Sequence, residues 1–112
     1  MSSELDFVQF VTEQMEDAGN VTYRKMFDNY GIYCNGIIFG LICDNQVFIK
    51  STERGKKFVG EVVEAPPYPG AKNYILIEDK FESKEWISEL VKVTIMDLQK
   101  TGQKPKQIRK KK

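Results

Sequence analysis

The stretch from Val21 to Lys50 constrains this chain more than any other: V-T-Y-R-K-M-F-D-N-Y-G-I-Y-C-N-G-I-I-F-G-L-I-C-D-N-Q-V-F-I-K. It is dense in strand formers and punctuated by two-residue turn signals, Asn35-Gly36 and Asp44-Asn45. Asn-Gly favours a tight hairpin because both central residues take positive φ; Asp-Asn is a poorer version of the same turn. The spacing predicts strands over residues 22–27, 30–34, 37–43 and 46–50, with a turn or bulge at Asp28-Asn29.

These turns fix a register. With Asn35-Gly36 at the tip, Cys34 opposes Ile37, and Cys43 lies roughly 20 Å further along its strand at ~3.3 Å per residue. A disulfide needs Cα atoms within about 7 Å, so the two cysteines cannot bridge within one chain. Strict alternation puts Ile32, Cys34, Ile37, Phe39, Leu41 and Cys43 on one face of the sheet. Tyr33, Ile38, Ile42, Val47 and Ile49 go to the other, with Gly31 and Gly40 leaving gaps. Both faces then read as apolar, which a sheet with one wet face does not need. Either helices cover parts of both sides, or one face meets a second copy of the chain as a homodimer.

Helical patterns flank this region. Val8, Val11, Met15 and Ala18 form one stripe, widened by Leu5 and Phe7, with Ser3 as a cap and Gly19-Asn20 as the stop. A short helix over residues 53–59 starts at Ser51-Thr52 and ends at Gly60. Residues 61–72, with Pro66-Pro67, Pro69 and Gly70, read as an irregular loop holding a brief edge strand around Val62-Val63. Residues 73–78 read as a strand. A last helix is capped near Ser83, buries Trp86, Ile87, Leu90, Val91, Thr94 and Leu98, and ends before Gly102 and Pro105. The class is α+β in two layers, an antiparallel sheet with helices, in the order α-β-β-β-α-β(β)-α.

Length allows one domain, residues 1–99, and a tail, residues 100–112. The net charge of +1 conceals an asymmetry: residues 1–99 carry 10 Lys and Arg against 16 Asp and Glu, whereas residues 100–112 carry seven Lys and Arg and no acid. Polar, basic and without aromatics, the tail is expected to be disordered. No run of about eighteen apolar residues suggests a membrane span, and Met1–Asp6 has no basic and apolar leader pattern, so the expected address is the cytoplasm.

Reactive chemistry is sparse. The chain has two cysteines and no histidine. Neither thiol has an imidazole base, and no Cys-x-x-Cys spacing suggests a metal site. Gly31, Gly36 and Gly40 precede no helix and no Lys-Ser/Thr, so they do not form a phosphate loop. No catalytic residue, metal ligand or cofactor site is expected, and the chain reads as a non-enzyme. Arg24 stands out as a charge within a strand, on the same side as Met26. It is either paired to a nearby acid or a contact for a partner, and Arg24, Met26 and Tyr33 are the candidate partner-binding residues. Tyr23, Tyr30, Tyr33 and Phe48 are either core residues or an aromatic face for stacking bases. The tail residues Lys104, Lys106, Arg109, Lys110, Lys111 and Lys112 either keep the chain soluble or bind nucleic acid without sequence preference.

The pattern V-T-Y-R-K-M-F, then Y-G-I-Y-C-N-G-I-I-F-G-L-I and V-F-I-K, resembles the N-terminal domain family of the competence regulator TfoX, also called Sxy. The matching positions include Arg24, Met26, Phe27, Gly31, Tyr33, Gly36, Phe39, Gly40 and Lys50, and the likeness covers about residues 4–99. The resemblance implies a secretion-chaperone-like two-layer fold and a bacterial regulatory role. Its partners would be proteins of the transcription machinery, and it carries no active site. Two departures stand out. The family's Gly-Gly pair after Met-Phe is here Asp28-Asn29, and a basic tail replaces the second domain of full-length competence regulators.

Overall fold

The computed structural model describes residues 5–27 and 29–101. The chain runs α1 (Leu5–Gln14), β1 (Val21–Met26), β2 (Asn29–Cys34), β3 (Ile37–Cys43), β4 (Gln46–Ile49), α2 (Glu53–Val59), β5 (Glu64–Ala65), β6 (Tyr74–Ile77) and α3 (Lys84–Lys100). Single 3₁₀ turns at Glu16–Ala18 and Lys80–Glu82 lead out of α1 and into α3. The fold is α+β: an open antiparallel sheet in the order β1-β2-β3-β4-β6-β5, with a helical layer on one face. All four strands expected between residues 21 and 50 form, so the meander has one strand more than the three counted in the expected element order. The edge strand expected around Val62-Val63 forms slightly later, at Glu64–Ala65.

Local chemistry sets the element ends. Asn35-Gly36 takes φ of 52° and 86°, and Asp44-Asn45 takes 55° and 57°, the left-handed pair that a two-residue hairpin requires. Thr52 caps α2 by accepting from the Gly55 amide at 3.0 Å, and Gly60 ends it at φ 85°. Ser83 caps α3 by accepting from the Trp86 amide at 3.3 Å. Arg54 ties α2 to α3 twice. Its backbone amide donates to the Asp97 carboxylate at 2.8 Å, and its guanidinium Nε pairs with the same group at 3.2 Å.

The core lies between the helices and one sheet face. Val8 and Val11 of α1, Met15, and Ile87, Leu90, Val91, Ile95 and Leu98 of α3 meet Ile32, Phe39, Ile42, Val47, Ile49 and Ile75. Ile95 joins this stripe although the sequence pattern omitted it. Phe7 meets Phe81 edge-to-face at 5.5 Å, and Lys84 pairs with Glu16 at 2.6 Å, so both 3₁₀ turns are tied to a helix.

The expected division of the sheet faces is corrected at one point. Pairing runs Tyr33 to Ile38 but Ile32 to Gly40, so Phe39 is an extra residue in β3. This β-bulge places Phe39 and Gly40 toward the same side and inverts alternation beyond it. Ile42, Val47 and Ile49 therefore enter the helix-covered core, and Leu41 and Cys43 move to the opposite face. Gly40 permits the bulge: a Cβ there would lie 2.4 Å from the Phe48 carbonyl oxygen. Backbone cannot yield at that distance as a side chain can. Gly40→Ala is expected to destabilise the protein by about 2 kcal/mol in urea unfolding, with the m-value unchanged.

Candidate functional site

The face away from the helices is the candidate site. Arg24, Met26 and Tyr33 all stand on it. Arg24 pairs across the ladder with Gly31, Met26 with Asn29, and Tyr33 with Thr22 and Ile38. Gly31 is their centre. A Cβ at Gly31 would lie 2.8 Å from Met26 Cε, 3.3 Å from Ile38 Cδ1 and 3.4 Å from Tyr33 Cε1. The three side chains fill the space that glycine leaves, which is why Tyr33 is buried on a face no helix covers. Arg24 is exposed on edge strand β1 and has no ion-pair partner among the described residues.

The second half of this face is a groove of about 710 Å³ beside the proline loop. Leu41 and Phe48, neighbours across β3 and β4, form its floor, and Pro66, Pro67 and Tyr68 form one wall. Pro67 is buried, and Leu41 and Phe48 are only 6% and 3% exposed although they stand outside the helix-side core. The apolar second face is therefore covered within the chain, by a loop rather than a helix, over part of its area. Met26 also lines the groove, so the Gly31 cluster and the groove are continuous.

Phe27 stands at the rim. It is 97% exposed and holds φ at 55°, a conformation costing a bulky L-residue about 1–2 kcal/mol. This corrects the expected turn at Asp28-Asn29. Asn29 already pairs with Met26, so Phe27 is a turn residue rather than the end of β1. At the other end of the hairpin the Asn20 amide donates to Asn35 Oδ1 at 2.9 Å, and the Asn35 amide donates back to the Asn20 carbonyl at 2.9 Å. That clasp extends the register in which Val21 pairs with Cys34 and Met26 with Asn29, the register that leaves Phe27 in the turn.

The proposed aromatic face does not form. Tyr23 and Tyr30 meet edge-to-face at 5.9 Å against the helix-side core, whereas Tyr33 and Phe48 stand on the other side. The tail residues Lys104, Lys106, Arg109, Lys110, Lys111 and Lys112 lie outside the described residues. Cys34 and Cys43 are both reduced. Cys34 is buried, its thiol donates to the Ala18 carbonyl at 3.6 Å, and burial pushes its pKa above the ordinary 9.0. Among the described residues no group of acids and thiols is placed to hold a metal ion, and no helix is long and apolar enough to cross a membrane. Sequence reasoning gave no site role to Phe27, Leu41 or Tyr68, and placed Phe48 with the tyrosines rather than in a groove. The glycine inside an apolar strand was the available signal for the bulge that moves Leu41 to the outer face.

This sheet, with its Arg-x-Met-Phe hairpin and glycine-centred outer face, defines the class of protein. The profile of the TfoX N-terminal domain matches residues 13–98. The chain belongs to the TfoX N-terminal domain family. It is also 31% identical over 94 residues to an uncharacterized 12.7 kDa protein in the trpE 5′ region of Spirochaeta aurantia, covering 84% of this chain and 82% of that protein.

Two outcomes follow from the geometry. Phe27→Gly is expected to stabilise the fold by about 1 kcal/mol in urea unfolding, because glycine enters the left-handed turn without the Cβ penalty. Cys34 is expected to resist alkylation in the folded protein at pH 8 and to react on unfolding. Its raised pKa contributes stability below pH 9.0 that fades as pH climbs from there toward the folded value, since only the unfolded thiol ionises readily in that window.

Proposed function

We propose that the chain is a non-enzymatic cytoplasmic regulatory module that acts by protein–protein contact in transcription regulation, with the open sheet face as its contact surface. The observation that carries this reading is Phe27: an aromatic ring almost wholly in solvent, on strained backbone, beside an apolar groove. Strain and exposure at one residue cost stability twice, and such residues gather where a surface is used. Arg24 adds an exposed cation on the same face, and arginine and aromatic side chains are the usual anchors of an interface. The TfoX family likeness supplies the partner class, a DNA-binding activator of the kind that governs competence genes. Arg24, Met26 and Tyr33 form one half of the surface, and Phe27 with the Leu41–Phe48 groove forms the other.

The test is affinity capture with mass-spectrometric identification, using four baits: the unaltered chain, Phe27→Gly, Arg24→Glu, and a chain lacking residues 100–112. The expected outcome is retention of a transcription activator or polymerase subunit by the unaltered and tail-deleted chains, and loss of about tenfold or more with Phe27→Gly or Arg24→Glu. Equal retention by the first three baits would contradict the surface. Loss on tail deletion alone, with steep salt dependence, would favour nucleic-acid binding through the tail.

A further inference from the structure

A second cavity adjoins the sheet-face groove at Tyr68. It measures about 650 Å³ and lies between the end of β4, the segment 68–74 and the C-terminal end of α3. Its lining combines Lys50 and Lys72 with Ser51, Asn73, Tyr68 and Tyr74, backed by Leu98. No Asp or Glu lines it. The Ser51 hydroxyl donates to Glu64 at 3.5 Å, and that carboxylate is shared with Lys56 at 3.9 Å. Among the described residues neither Lys50 nor Lys72 forms an ion pair.

Two ammonium groups facing one cavity without a counter-charge repel each other. The effect is visible at Lys50, whose pKa is lowered by partial burial and then by the proximity of Lys72. Nothing in the fold requires this arrangement: Lys50 donates its backbone amide to the Phe39 carbonyl at 2.8 Å whatever its side chain is. Lys84 and Lys56, by contrast, each pair with a carboxylate.

We propose that this cavity binds a small phosphate monoester, of nucleotide size or below. Its volume falls in the range of about 300–1,000 Å³ typical of small-molecule sites. A phosphate monoester carries close to −2 at neutral pH, which matches two lysines. Lysine binds phosphate as a point charge, and two lysines line this cavity. Asn73 and the two tyrosine hydroxyls offer further hydrogen-bond donors around the charge, whereas the Ser51 hydroxyl already donates to Glu64. Leu98 and the Tyr68 ring give an apolar wall for the organic part of the ester. Tyr68 also walls the sheet-face groove, so a ligand here touches the loop that shapes the proposed contact surface.

The test is amide chemical-shift titration of the full chain with inorganic phosphate, adenosine monophosphate and citrate in turn. The expected result is saturable shifts at Lys50, Ser51 and Lys72–Tyr74, with the monophosphate bound more tightly than inorganic phosphate and citrate weakest. Lys72→Met, on an exposed loop, and Lys50→Met are each expected to weaken the monophosphate about tenfold while leaving the rest of the spectrum in place. Tighter binding of citrate, shifts spread evenly over surface lysines, or undiminished binding in both variants would overturn the proposal. The sheet-face reading is scored separately, because these substitutions leave Arg24 and Phe27 untouched.

Discussion

A single close approach organises this molecule. Gly40 passes under the Phe48 carbonyl at a distance that excludes any side chain, and that contact lets β3 carry one residue more than β2 requires. Before the bulge, Ile37 faces the helices and Ile38 does not. After it, Ile42 faces the helices and Leu41 does not. Without the extra residue, Ile42, Val47 and Ile49 would leave the core, and α3 would lose the strand side chains its buried stripe meets. The bulge also places Leu41 beside Phe48 on the far face, where the proline loop can settle on both.

The two faces divide the labour. Three helices close one of them, with Phe58 and Val59 of α2 completing the layer against α3. The other carries the groove that Leu41 and Phe48 share with Pro66, Pro67 and Tyr68, and is open around Arg24 and Phe27. Stability resides in the first face. Backbone strain, uncompensated charge and exposed aromatic area collect on the second and around the loop that borders it. That distribution is what a scaffold with a presented surface requires, since residues used by a partner are those the fold does not satisfy by itself.

Much of this was legible in the sequence because it is written locally. Asn35-Gly36, Asp44-Asn45, Thr52 and Ser83 act through the φ angles and side-chain oxygens of adjacent residues, so turns and caps could be read directly. Membership of the TfoX N-terminal family was legible from the same hairpins. Arg24 and Met26 share a side of β1 because they lie before the bulge, where alternation still holds. Face assignment failed beyond Phe39, because a bulge depends on what the neighbouring strand allows and not on the strand alone. The turn at Phe27 was misplaced for a similar reason. The strand register, which runs from Val21 against Cys34 to Met26 against Asn29, sets the turn rather than the local preference of Asp and Asn for left-handed backbone. The lysine cavity was invisible, since Lys50 and Lys72 are distant in sequence and meet only when the proline loop folds back.

The claim on which this account rests is the sorting of β3 by its bulge, and methyl nuclear Overhauser contacts measure that sorting directly. The predicted result is contact from Ile42 methyls to Leu90, Val91 and other methyls of the helical layer, and from Leu41 methyls to Pro67 and Phe48. Leu41 contacting the helices while Ile42 contacts the proline loop would contradict it.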